Sequence, residues 1–273
     1  MVIIIKLENI PILAKYVAIC IIVFGVYLFT LMQVSLAMDN SIYATLSNQV
    51  ALNDELSITA NNMANANTTG FKKDLQIMSS YVTKDKIADL KMPNDIASIS
   101  DFTPGSLNQT GRPFDVAING EGFFMIETPN GNFYTRNGRF LINNEGALID
   151  QHGNYVLSDD GGQIAVPLQN ESVHINRNGN MYISENFIGN IGVFNFSDVK
   201  LLRKAGNNYF KTKLEGIPSE KYQLLQGFLE ESNTSPIIET TKLIDLQKKF
   251  SMSSNLITDV YGMQRNSFRV ISK

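Results

Sequence analysis

Residues 114–142 read F-D-V-A-I-N-G-E-G-F-F-M-I-E-T-P-N-G-N-F-Y-T-R-N-G-R-F-L-I. Apolar runs of three or four residues (Val116-Ala117-Ile118, Phe123-Phe124-Met125-Ile126, Phe133-Tyr134-Thr135, Phe140-Leu141-Ile142) are divided by Asn119-Gly120, Asn130-Gly131 and Asn137-Gly138. Runs this short and this rich in aromatic and β-branched residues suit a pleated, half-buried surface better than a helix. Asn-Gly tolerates positive φ at both central positions of a type I′ turn, so the spacing predicts successive antiparallel hairpins. The rhythm continues through Ala147-Leu148-Ile149, Tyr155-Val156-Leu157, Ile164-Ala165-Val166, Val173-His174-Ile175, Met181-Tyr182-Ile183, residues 191–196 and Tyr209-Phe210. No helical segment of about 10–15 residues intervenes, which argues against a parallel α/β sheet.

On either side of this region the period becomes helical. Residues 59–73 read T-A-N-N-M-A-N-A-N-T-T-G-F-K-K. Short amide and hydroxyl side chains bond to nearby backbone, so Asn61, Asn62, Asn65, Asn67 and Thr68 predict the end of a helix that starts at Asp39, Asn40 or Ser41. Gly70 supplies a permissive backbone for the exit, Phe71 an aromatic anchor, and Lys72 and Lys73 follow. Upstream, Ile42, Leu46, Leu56, Ala60 and Met63 share a seam with Gln49 and Asn53; after Pro236, Leu243, Leu246, Phe250, Ile257, Val260 and Ile271 share another with Ser253, Gln264 and Ser267. Polar residues on a seam cost stability but fix register, and a lone helix with so narrow a stripe is marginal in water. Both therefore read as interaction helices.

The expected fold is mainly β with α-helical termini, an antiparallel β-domain between N- and C-terminal coiled-coil-like helices. Its parts are an apolar extension (1–37), an N-terminal helix and hinge (38–73), a connector with little core (74–102), the β-domain (103–225) and a C-terminal helix (226–273).

Lysine and arginine number 23 against 26 acidic residues, a formal charge of −3. The chain as a whole is not drawn to phosphate, and no basic patch points to nucleic acid. The single cysteine, Cys20, excludes an intramolecular disulfide and a cysteine metal cage. His152 and His174 fall in separate β-like segments and read as structural. The 22 residues 16–37 carry no charge, enough for a membrane helix of about 20 residues, and end Ser35-Leu36-Ala37, the pattern of a secretory cleavage site. A cleaved signal, an anchor and a true start at Met38 all fit that segment.

Signatures of catalysis are missing. Gly120-x-Gly122 lacks the third glycine and following helix of a dinucleotide fingerprint, and Asp159-Asp160-Gly161-Gly162 lacks the spaced oxygens of a calcium loop. Glu230-Glu231 has no evident partner, and adjacent residues on a helix point apart. Arg136 and Arg139 read as a solvated hairpin edge. No catalytic residue, metal, cofactor or small-molecule substrate is expected.

Three stretches, in order, resemble the signatures of flagellar rod and hook proteins. They are A-N-N-M-A-N-A-N-T-T-G-F-K-K at 60–73, T-P-G-S-L-N-Q-T-G-R-P-F-D-V-A-I-N-G-E-G-F-F at 103–124 with Y-T-R-N-G-R-F at 134–140, and Q-G-F-L-E-E-S-N-T-S-P-I-I-E at 226–239. The motif residues carried over are Asn61, Asn62, Asn65, Asn67, Gly70, Phe71, Lys72, Gly120, Gly122, Phe123, Gly227, Glu230, Ser232 and Asn233. The resemblance covers about residues 38–273 and implies a structural subunit of the bacterial flagellar basal-body rod. The short connector is most similar to the proximal-rod type. The resemblance also implies terminal helices that stay largely unfolded in the monomer and pair, through Ile42, Leu46, Leu56, Met63, Leu243, Leu246, Phe250, Ile257 and Val260, when neighbouring subunits supply their seams. Head-to-tail contacts of that kind build an open helical tube that transmits torque. The implied partners are other rod subunits, copies of this chain and the flagellar type III export apparatus, with no cofactor. A start at Met38 becomes the favoured reading of the extension. The competing reading is a membrane-anchored or secreted β-domain acting as a binding module.

Overall fold

The computed structural model describes residues 12–84, 89–167 and 172–271. Residues 1–11 of the extension and the side chain of Ile42 lie outside the described residues. Helix α1 (Ile12–Ala64) and helix α2 (Pro236–Ile271) bracket an antiparallel β region, the expected class. Two compact units are formed, one from Asn53–Met78 with Asp95–Lys248, the other from Met1–Leu52 with Ser79–Asn94 and Lys249–Lys273.

Helix α1 has no start at Asp39, Asn40 or Ser41, which corrects the expected cap. These residues cost at most about 0.7 kcal/mol each inside a helix, and no proline falls between Pro11 and Pro93 to force a break. The expected connector is also corrected: Asp74–Lys84 and Asp89–Ser100 are strands that pair with each other. Leu75-Gln76-Ile77 and Leu90-Lys91-Met92 alternate with period two, a strand signal hidden inside what reads as an amphipathic piece and a polar run.

Strand Phe123–Thr128 is the centre of the largest sheet. One edge pairs with Gly131–Thr135, the other with Tyr155–Val156 and Val193–Asn195. Phe124 and Ile126 enter a core with Val116, Ile118, Phe140, Leu148 and Val156; Phe123 and Met125 enter a second with Tyr134, Phe194, Phe196 and Phe210. Burial on both faces explains a continuous F-F-M-I run where a strand with one wet face would alternate. Tyr222–Gln226 pairs with Val116–Gly120, and Phe228–Glu230 with Leu107–Gln109. Residues 226–230, assigned above to the C-terminal helix, are thus strand and turn.

The hairpin positions are as expected but the turn type is not. Among the described residues the only non-glycines at positive φ are Ser184, Asn207 and Asn208, so no Asn-Gly pair makes a type I′ turn. A five-residue loop recurs instead at 143–147, 150–154 and 176–180. The leading Asn143, Asp150 or Asn176 accepts, through its side-chain oxygen, the backbone N–H two and four residues on. A glycine at positive φ (Gly146, Gly153, Gly179) occupies the fourth position, where a side chain would be strained.

Candidate functional site

The exit of α1 is stitched to distant backbone by its asparagines. Asn62 is buried, and its amide donates to Asp74 O and accepts from Asp74 N, both at 2.9 Å, as a neighbouring strand would. Asn65 turns back onto Asn61 O at 2.9 Å and accepts from Thr68 Oγ1. The side chains of Asn61 and Asn67 are exposed. Gly70, at φ +67°, donates its N–H to Glu230 O at 2.7 Å and lies against a neighbouring turn, so that a Cβ there would sit 2.4 Å from Asn137 N and 2.5 Å from Arg136 C. Phe71 is buried beneath Lys204, whose Nζ is 4.0 Å from the ring centroid and 2.8 Å from Asp74 Oδ2.

Beyond this lies a buried ionic triad. Lys72, fully buried, reaches Glu230 Oε1 at 2.5 Å and Thr103 O at 2.8 Å. Arg136 Nη1 is 3.4 Å from Glu230 Oε2, Nη2 donates to Gly120 O at 3.0 Å, and the guanidinium lies over the Phe123 ring at 5.1 Å. Gly105 N completes the shell at 3.0 Å from Glu230 Oε1. Burial pulls the Lys72 ammonium below the usual lysine value; Glu230 opposes this and Arg136 adds to it. Burial likewise lowers Arg136 against the pull of Glu230. One carboxylate so serves two desolvated cations, and its removal would strand both.

Asn233 closes the same region, accepting Lys73 N at 2.8 Å and donating to Asp101 O at 2.9 Å. Ser232 is buried and accepts Thr234 N. Gly227, between two strands, accepts Thr110 N at 2.8 Å through its carbonyl, and Gly122 precedes the central strand at φ +130°. The stretch expected to act as a hinge is hydrogen-bonded to distant residues through Asn62, Gly70 and Lys73. The solvated reading of Arg136 is corrected too, since its side chain is 5% exposed. Glu230 and Glu231 lack the helical geometry assigned above: Glu230 ends the strand Phe228–Glu230 and is buried, while Glu231, one residue past it, is exposed and accepts from Ser106 Oγ. No local period marks Arg136 or Glu230 as buried, and charged residues read singly default to solvent.

The seam residues divide by exposure. Near the junction the two helices meet within one chain: Lys242 Nζ is 2.9 Å from Glu55 Oε1, and Thr240 Oγ1 is 3.4 Å from Met63 Sδ. Leu246 is buried; Leu56, Leu243, Phe250, Ile257 and Val260 are half-buried; Leu46 and Met63 are exposed. This differs from helices that pair only across subunits. Other apolar positions face out: Tyr43 and Val50 on α1, and on α2 Ile237 with Ile244, seven apart, and Met252 with Leu256, four apart. Among the described residues no group of three His, Cys, Asp or Glu could hold a metal ion.

A flagellar basal-body rod protein FlgF of Caulobacter vibrioides is 37% identical over 243 residues, spanning 86% of this chain and 99% of the relative. The chain belongs to the flagellar basal-body rod protein family. FlgF of Mesorhizobium japonicum is 33% identical over 223 residues (81% of this chain, 92% of the relative), and FlgG of Bacillus subtilis 31% over 247 residues (80% and 94%). Residues 42–72 match the family described as "Flagella basal body rod protein", 117–183 "Flagellar hook protein FlgE/F/G D1 domain" and 225–269 "Flagellar basal body rod FlgEFG protein C-terminal". Lys72, Arg136 and Glu230 each lie in a different one of these segments. Within the rod family the chain is FlgF-like, a structural subunit of the flagellar basal-body rod that assembles with other rod subunits.

Proposed function

We propose that this rod subunit occupies the proximal segment of the axial shaft, leaves the cell through the flagellar type III export apparatus, and transmits torque through helices held by the buried junction. Its contacts with neighbours are the outward apolar positions of α1 and α2: Tyr43, Leu46, Val50 and Met63 on one helix, Ile237, Ile238, Met252 and Leu256 on the other. The half-buried Leu56, Leu243, Phe250, Ile257 and Val260 border these contacts, while Leu246 holds the chain's own fold. The observation that supports this reading is the exposure of large aliphatic side chains on helices that arise from a well-packed β region, Ile237 at 79% and Met252 at 68%. Apolar faces of that kind mark contact with other proteins. The rod subunits named by the relatives are the partners this reading supplies.

Leu46→Asp and Leu256→Asp test it. Both side chains are exposed in the single chain, so each variant should fold within about 0.5 kcal/mol of the parent. In the rod, each would bury an unpaired carboxylate at a helix contact. The expected outcome is soluble, folded protein and non-swimming cells that lack complete basal bodies. Normal swimming with both changes in one chain would remove these faces from the assembly.

A further inference from the structure

A cleft of about 450 Å³ opens beside the junction, between the exit of α1 and the loops of the β region. Its walls include Asn61, Gln151, His152, Asn207 and Asn208. The amides of Asn61, Gln151 and Asn207 bond to none of the described residues, and Asn208 Oδ1 is shut off from solvent with no donor. Asn208 is otherwise engaged, donating Nδ2 to Thr69 O at 2.7 Å and accepting Thr135 Oγ1 through its carbonyl at 3.0 Å. Gly206, Asn207 and Asn208 stand at φ 85°, 47° and 65°, three successive left-handed residues that leave Asn207 exposed at the rim.

The ionisable groups in the walls already have partners, most of them behind the walls. Lys204 is paired with Asp74. The Tyr209 hydroxyl donates to Asp150 and accepts Asn154 Nδ2 at 2.9 Å, with His152 Nδ1 3.0 Å away. The cleft therefore offers donors and acceptors in balance without a free charge. That chemistry does not suit phosphate, a metal ion or an apolar helix. It suits polypeptide backbone, whose N–H and C=O a carboxamide pairs with two at a time.

The molecule already uses amides this way. Asn62 pairs with both polar groups of Asp74; Gln226 accepts Ile175 N at 3.1 Å and donates to Val173 O at 2.8 Å; Asn233 joins Lys73 N to Asp101 O. The cleft amides are the same device without its backbone. We propose that the cleft receives an extended, uncharged peptide segment of a neighbouring rod subunit, held by Asn61, Gln151 and Asn207. The proposal rests on the rod reading above.

Photo-crosslinking amino acids placed singly at Gln151, Asn207 and, on the outer face of α2, Met252 test it in cells that build basal bodies. The expected result is an adduct from 151 and 207 in purified basal bodies, mapped by mass spectrometry to a non-helical segment of an adjacent rod subunit. Adducts from 252 alone would overturn the cleft proposal and leave the rod reading standing, as would adducts from 151 and 207 to a helix or a glycan. No adduct from any of the three would overturn both. In a second arm, Gln151→Leu with Asn207→Gly removes two exposed amides that bond to none of the described residues, and glycine suits the φ of 47° at 207, so the unfolding midpoint of the soluble chain should hold. Losing two amide pairings should lower basal-body yield by roughly tenfold; an unchanged yield would overturn the proposal.

Discussion

Gly70 carries two constraints at once. Its φ of +67° disfavours any Cβ, and the atoms a Cβ would meet are the backbone of Arg136 and Asn137, which cannot swing aside. A permissive backbone alone would let alanine pass with little loss. Left-handed strain of about 1–2 kcal/mol together with overpacking of about 1–3 kcal/mol instead sets the cost of Gly70→Ala at roughly 2–5 kcal/mol, with Gly70→Val no better. Urea unfolding of the soluble chain measures this, and a loss under about 1 kcal/mol for alanine would show that the turn yields. The triad gives a second expectation. Glu230→Gln keeps the shape but leaves Lys72 and Arg136 as buried cations with no counter-charge, a loss of about 3–5 kcal/mol. Arg136→Met leaves Lys72 and Glu230 as a balanced pair and should cost less. Equal losses would mean that packing, not charge balance, governs the site.

At the scale of elements, the β region was legible because its period and its turn spacing agree. Every apolar run from Val116 to Ile126 lies in a strand and a core. The turn chemistry was not legible from Asn-Gly pairs, since the side chains that organise the loops are the Asx residues three positions before a glycine. Asn176→Ala removes acceptors for two backbone N–H groups, at 3.0 and 2.9 Å, and should cost about 1–3 kcal/mol. Asn130→Ala, at an exposed Asn-Gly pair whose side chain bonds to none of the described residues, should lie near zero. Similar losses at both sites would return the turns to the Asn-Gly explanation. Helix α1 teaches the converse lesson: capping residues at 39–41 permit a start, but only a chain that departs from helical geometry uses them.

For the whole molecule, the three motifs and their order could be read from sequence, whereas their meeting could not. Lys72 and Glu230 are separated by 158 positions and Arg136 and Glu230 by 94. Local periodicity carries no information about which distant charge will be a partner. The cleft amides were equally silent, because an asparagine that pairs with backbone and one that waits for it look alike in a single chain. The helix seams were half legible: their polar-interrupted stripes marked interaction helices, but not that Glu55 and Lys242 would join the two helices inside one subunit.

That separation also has a consequence in time. A ribosome finishes Lys72 long before it reaches Glu230, and closing so long a loop costs entropy before the contact returns any stabilisation. The junction should close late, after the hairpins of the β region, whose partners are near neighbours. Pulsed hydrogen exchange during refolding reads this directly: the amides of Met125 and Ile126 should be protected before that of Gly70, whose acceptor is Glu230 O. Simultaneous protection would refute the order. A subunit whose long-range ion pairs wait for Glu230 is without them for most of its synthesis, and stiffens at the junction only after that residue has been made.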